Sequence, residues 1–144
     1  MSELLDKCCD TIEQFEGCKL TSYQDQGGKW TIGYGATGPG IDAGVTWTQR
    51  QADDRLEEDV ARFLSLVQKA VSVPINDNQT TALVSFTYNV GIYNLERSGL
   101  LRFLNQEKYA QAADQFLLWD HVGAYRNPGL TNRRIKEREL FLTT

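Results

Sequence analysis

The sequence predicts an α+β fold in which a small β-sheet lobe and a larger helical lobe are joined by one long helix. Three observations lead there. Residues 18–45 are rich in glycine and broken by turn signals, whereas the segments on either side carry apolar residues at helical spacing. From Thr48 to about residue 72 the helical pattern runs unbroken, over a length greater than that of an average globular helix. The length of 144 residues fits a single domain with a sizeable core. We expect one domain over residues 1–144, with the small lobe at about 12–60 and the helical lobe at about 61–144 plus the N-terminal helix.

Taken in order, residues 3–16 read as a helix with Leu4, Cys8, Ile12 and Phe15 on one stripe. Short β-favouring runs such as Trp30-Thr31-Ile32 lie between the turn signals Gln26-Gly27-Gly28 and Gly38-Pro39-Gly40, which predicts a two- or three-stranded antiparallel sheet. Thr48 opens the long helix and Gln51 completes a capping-box pattern. Ala52, Leu56, Val60, Phe63, Leu64, Val67 and Val71 form its inner stripe, and Pro74 follows its end. Asn76 or Asp77 caps a third helix that runs to Val90, with Leu83, Phe86 and Val90 inward and Gly91 at its C-terminus. Ser98 opens a short helix that buries Leu101 and Leu104. Another holds Tyr109, Ala112, Ala113, Phe116 and Leu117 and ends between Trp119 and Gly123. Asn127-Pro128-Gly129 reads as a turn, and a last helix spans about Leu130 to Leu142.

Composition excludes several function classes. A net charge of −4 argues against a nucleic-acid partner, because phosphate recognition needs a basic face. The longest apolar runs are a few residues, so neither a membrane-spanning helix nor stable membrane insertion is expected. Met1 to Lys7 carries acids where a secretory signal needs bases and an apolar stretch, from which we expect synthesis and retention in a cytoplasm. Cys8, Cys9 and Cys18 are odd in number, and in such a compartment they should be free thiols. His121 is the only histidine, so no zinc-ligand spacing exists; we expect it to be structural or exposed. Gly33-Tyr34-Gly35-Ala36-Thr37-Gly38 fits a dinucleotide fingerprint in letters only, since Pro39-Gly40 follows where a helix should open.

Chemistry enters with Glu16, Asp25 and Thr31. A glutamate at a helix C-terminus gains nothing from the helix dipole, which hints at another reason for its presence. An aspartate before Gln-Gly-Gly is a turn residue, and a turn at the edge of a cleft can hold a catalytic acid. Two carboxyl groups on different elements, facing each other across a cleft, are what glycoside hydrolysis needs. One protonates the leaving oxygen, and the other activates water or stabilises the developing cation.

The same residues carry a resemblance. Glu16, eight residues, Asp25, five residues and Thr31 resemble, without a gap, the catalytic segment of the phage-type lysozymes. Trp30-Thr31-Ile32-Gly33-Tyr34-Gly35 is similar to the Thr-x-Gly-x-Gly run of that family, Phe86 to Gly91 to a run at a helix end of its large lobe, and Gly129 to Arg138 to its Gly-Leu-x-x-Arg-Arg-x-x-Glu stretch. The resemblance covers nearly the whole chain. One departure is Ala36, where many members have His, and it bears on the packing of the sheet tip rather than on activity.

What the resemblance implies is a lysozyme-like fold and a monomeric, endo-acting muramidase. It would cut the β-1,4 bond between N-acetylmuramic acid and N-acetylglucosamine in peptidoglycan, with inversion and with no metal or organic cofactor. Protonated Glu16 would be the general acid. Ionised Asp25 would stabilise charge at the anomeric carbon or hold the attacking water, and Thr31 would position that water. Tyr88 and Asn89 would contact substrate in the cleft, and Arg133 or Arg134 would approach Glu16 and hold its carboxylate. The lobes would hinge about the long helix. Such an endolysin would wait in the host cytoplasm until a separate membrane pore gave it access to the wall. The alternatives are a lytic transglycosylase and a catalytically inactive wall-binding protein on the same fold.

Overall fold

Caps decide where the helices of this chain begin. A computed structural model describes residues 2–144. Ser2 accepts a hydrogen bond from Leu5 N at 3.1 Å and opens α1 (Glu3–Glu16), which buries Cys8 and Ile12. Thr48 and Gln51 form a reciprocal capping box at the head of α2 (Gln49–Ala70), and Asn76 with Gln79 does the same for α3 (Asp77–Val90). Gly91 ends α3 with φ at 91°, and the chain turns directly into α4 (Ile92–Arg97). Ser98 then caps α5 (Gly99–Asn105).

Three features depart from the sequence expectation. The six-residue α4 was not foreseen, because it buries only Leu95 and so shows no periodic stripe. The helix expected from Tyr109 is split. It runs as α6 (Tyr109–Gln115), tightens into a turn of 3₁₀ helix at Phe116–Leu118, and leads into a hairpin of β3 (His121–Val122) and β4 (Tyr125–Arg126). Asn127-Pro128-Gly129 is a helix start and not a turn. Asn127 accepts from Leu130 N at 3.0 Å, and Pro128 occupies the first position of α7 (Pro128–Phe141), where a missing N–H costs nothing.

The sheet is a two-stranded antiparallel ribbon of β1 (Lys19–Gln24) and β2 (Trp30–Gly33), in which Tyr23 faces Thr31. Its core is small: Ile32, Ala36 and Ile41, covered by Trp30, Val45 and Trp47. Ala36 is buried there and pairs with Ile32 across a tight turn, so a small side chain suits the sheet tip. A larger cluster joins the helices, with α3 at its centre: every residue from Thr80 to Thr87 is buried. Ala52, Leu56, Val60 and Val67 of α2 are buried as expected, whereas Phe63, Leu64 and Val71, like Val90 of α3, are half-buried. Arg55 on α2 donates to the Thr37 carbonyl at 2.9 Å and so ties the long helix to the sheet region. The result is an α+β architecture with its small sheet to one side of a helical body. Among the described residues, no helix is long and apolar enough to cross a membrane.

Candidate active site

Glu16 and Asp25 line one open cleft of about 510 Å³. Phe15, Gln26 and Gly27 stand with them, and Asn89, Val122, Leu130 and Arg133 face them from α3, the hairpin and α7.

Glu16 is the last residue of α1, followed by Gly17 at φ 65°. A carboxylate there meets the negative end of the helix, so it needs a cation from elsewhere. Arg133 supplies it: Nη1 donates to Glu16 Oε2 at 2.6 Å, with the two side chains 7% and 19% exposed. Arg133 is in turn held from behind. Its Nε donates to Glu137 Oε2 at 3.2 Å, its Nη2 donates to the Ser85 carbonyl at 3.0 Å, and its plane lies over the Phe15 ring. The other Glu16 oxygen, Oε1, faces Gly35, where a Cβ would stand only 3.1 Å away. Gly35, at φ 84°, is therefore glycine for two reasons, its backbone conformation and the room that Glu16 needs.

Asp25 is held by its own turn. Oδ1 accepts from Gly27 N and Lys29 N, both at 2.9 Å, which leaves Oδ2 for the cleft. Thr31 is buried, does not line the cleft wall, and donates its hydroxyl proton to the Lys29 carbonyl at 2.9 Å. Asp25 and Thr31 thus grip the same residue, Lys29, through its N–H and its C=O.

The other expected site residues divide. Asn89 lines the cleft and accepts a hydrogen bond from Arg134 Nη2. Tyr88 has a different place: its hydroxyl donates to the Tyr34 carbonyl at 2.6 Å, its ring packs edge-on against Phe63, and it does not line the cleft. Burial, and then the nearby Glu16, push the Tyr88 phenol well above its ordinary range, so it stays a neutral donor. Arg134 is fully buried and paired with Glu137, Nε to Oε1 at 3.2 Å, although the alignment is too poor for a hydrogen bond. Burial lowers its pKa to about 10, and it remains a cation at neutral pH.

Sequence reasoning missed Ser85 and the 121–126 hairpin. Ser85 looks like a small core residue on α3, and nothing local marks it as the hydrogen-bond partner of Arg133 and Glu137. The hairpin is anchored by buried Asp120, which accepts from Arg126 Nε at 2.7 Å and from the Thr131 hydroxyl at 2.8 Å. His121 is exposed and lies 2.9 Å from Asp120, beside a second hollow that adjoins the cleft through Asn89 and Leu130. Among the described residues, no group of acids, cysteines and histidine could hold a metal ion.

Comparison with known proteins adds four relationships. The family model described as phage lysozyme matches residues 13–137. The endolysin of Bacillus phage PZA is 41% identical over 132 residues, which are 90% of this chain and 51% of the relative, so the chain spans about half the length of that protein. Among solved structures, the endolysin from Escherichia coli O157:H7 phage FAHEc1 superposes with a TM-score of 0.89 at 35% identity, over 98% of this chain and 94% of that one. The muramidase domain of SpmX from Asticaccaulis excentricus gives 0.87 at 33% identity, over 95% of each chain.

Proposed function

This chain belongs to the phage lysozyme family, and from that membership we propose that it is an endolysin-type muramidase. It hydrolyses the β-1,4 bond between N-acetylmuramic acid and N-acetylglucosamine of peptidoglycan, as a monomer, and reaches the wall from the host cytoplasm through a pore made by another protein. The observation that carries this reading is the pair of carboxyl groups, one at a helix end and one in a sheet turn, opening into a single cleft. The likeness to a solved muramidase domain supports the choice of bond.

In the proposed mechanism a sugar chain lies in the cleft with its scissile oxygen at Glu16. Arg133 has no acceptor, so Glu16 Oε2 must be the acceptor of that hydrogen bond. The proton to be given then resides on Oε1, the oxygen that faces Gly35. Asp25 Oδ2 carries the negative charge that opposes the cation developing at the anomeric carbon. The Thr31 hydroxyl has committed its proton to Lys29 and can only accept; from its buried place behind the cleft wall it would receive a hydrogen bond from the attacking water once water passes Asp25. Water adds to the anomeric carbon and passes its proton to Asp25 Oδ2, the leaving sugar departs with the proton from Glu16, and exchange with solvent restores both acids. Asn89 lines the cleft, and Arg134, buried behind it, donates to its side-chain oxygen.

The test is Glu16→Gln, assayed by release of reducing ends from purified peptidoglycan. General acids contribute ~10²–10⁴-fold, so the folded variant should fall at least that far. Near-normal release by a folded variant would contradict the mechanism.

A further inference from the structure

The cation that holds Glu16 is itself held by an anion. Glu137 is buried on α7, one helical turn from Arg133. Its Oε2 accepts from Arg133 Nε at 3.2 Å and from the Ser85 hydroxyl at 2.6 Å. Ser85 Oγ in turn accepts from Arg133 Nη2 at 3.3 Å, so the three side chains close a small ring behind the acid. Arg134 stands on the other oxygen of Glu137 at 3.2 Å.

A muramidase of this design has a conflict to resolve. A general acid must carry its proton, yet an arginine in contact with it favours the ionised form. We propose that Glu137 is a positioning residue that resolves it, by fixing Arg133 so that Glu16 aims into the cleft and by sharing the charge of Arg133 so that Glu16 keeps its proton. The consequence for rate rests on the muramidase reading above; the effect on the Glu16 proton does not.

The groups around this ring are accounted for. Burial pushes the Glu137 carboxyl up, and Arg134, Arg133 and the Ser85 hydroxyl oppose that push. We take Glu137 as an anion because a guanidinium stands on each of its two oxygens. Asp120, ahead of the hairpin, acts on Arg134. The phenols of Tyr88 on α3 and Tyr23 on β1 are both raised, first by burial and then by the charge of a Glu16 carboxylate. Charges one, two, three and four of the line Glu16, Arg133, Glu137 and Arg134 alternate in sign. Removing the third leaves two cations facing one anion.

The experiment is an NMR titration of the side-chain carboxyl carbon of Glu16 in the wild type and in Glu137→Gln. It needs no substrate, so it answers whether or not the protein cuts glycan. The Glu16 midpoint should fall by about half a pH unit or more in the variant, because uncompensated positive charge favours its ionised form. In parallel, kcat on peptidoglycan should fall ~10-fold with KM within ~2-fold, and the alkaline limb of the activity profile should move to lower pH. Should Glu137→Gln fail to fold, Glu137→Asp is read in the same way. It keeps the charge but withdraws it from Arg133, and the midpoint should fall by a smaller, measurable amount. A Glu16 midpoint at its wild-type value in the folded variant would overturn the proposal. A moved midpoint in a protein that releases no reducing ends would uphold it and remove the muramidase reading instead.

Discussion

Glu16 and Asp25 open into the same cleft, but they are held there by opposite means. Glu16 depends on Arg133, a partner 117 residues away, and on a buried set of charges behind it. Asp25 depends on N–H groups two and four residues along its own chain, at an exposed turn. The first arrangement exists only when α1, α3 and α7 are docked. The second needs only the local turn. The difference teaches how one site divides its demands. In the proposed mechanism the proton donor needs a fixed orientation beside a charge in a partly dry place, and only tertiary structure supplies that. The acid on the other side needs to stay ionised and reachable, and a solvated Asx-type turn is enough.

The contrast can be broken at the Glu16 end by Arg133→Met. Removing the cation strands Glu16 and leaves Glu137 with Arg134 and the Ser85 hydroxyl alone, and breaking a buried pair in this way costs about 3–5 kcal/mol. Urea unfolding should show the loss; a change below ~1 kcal/mol would mean that the buried charges are not the scaffold described here. At the other end, Asp25→Asn keeps the Oδ1 acceptor for Gly27 and Lys29. Its stability should therefore stay within ~1 kcal/mol of the wild type while glycan cleavage falls ~10²-fold or more. A large loss of stability would make Asp25 a structural residue first.

Acid sharpens the comparison further. Asp120 is held below the ordinary carboxylate range, first by its hydrogen bond to Arg126 and then by Thr131. A lowered carboxyl contributes stability above about pH 4, the ordinary aspartate value, and loses it as pH falls through its own lower one. Amide exchange in the 121–126 hairpin should therefore speed up, beyond the intrinsic pH dependence, as pH falls below about 4. The smallest effect concerns the thiols. All three are free, Cys18 exposed and Cys8 buried, and burial pushes Cys8 up to about 11 and Cys9 up to about 12. A thiol reagent should take Cys18 at once and the other two only on unfolding, with no prior reduction needed. A shortfall in the denatured count would reveal a disulfide.

What the sequence made legible follows the same division. Caps and turns are local chemistry, so Thr48 with Gln51, Asn76, Gly91 and Ser98 announced helix ends that the structure has. The turn of Asp25 could be read from Gln-Gly-Gly in the same way. The pairing of Glu16 with Arg133 could not; only the family resemblance pointed to an arginine, and it left Arg133 and Arg134 undivided. Helical phase separates them: Arg133 faces Glu16, whereas Arg134, the next residue, points to Asn89 and stacks on Phe86. Tyr88 sits one residue from Asn89 and faces away from the cleft for the same reason. Pro128 misled because the same residue that breaks a helix interior is favoured at its first turn.

The central claim is that water, admitted to a cleft between Glu16 and Asp25, ends up on the cut sugar. It is tested most directly by digesting purified peptidoglycan in isotopically labelled water, reducing the products at once with borohydride, and weighing them by mass spectrometry. Hydrolysis predicts that each new N-acetylmuramic acid end carries one labelled oxygen. Anhydro ends without label, or intact glycan after exposure to the folded protein, would contradict it.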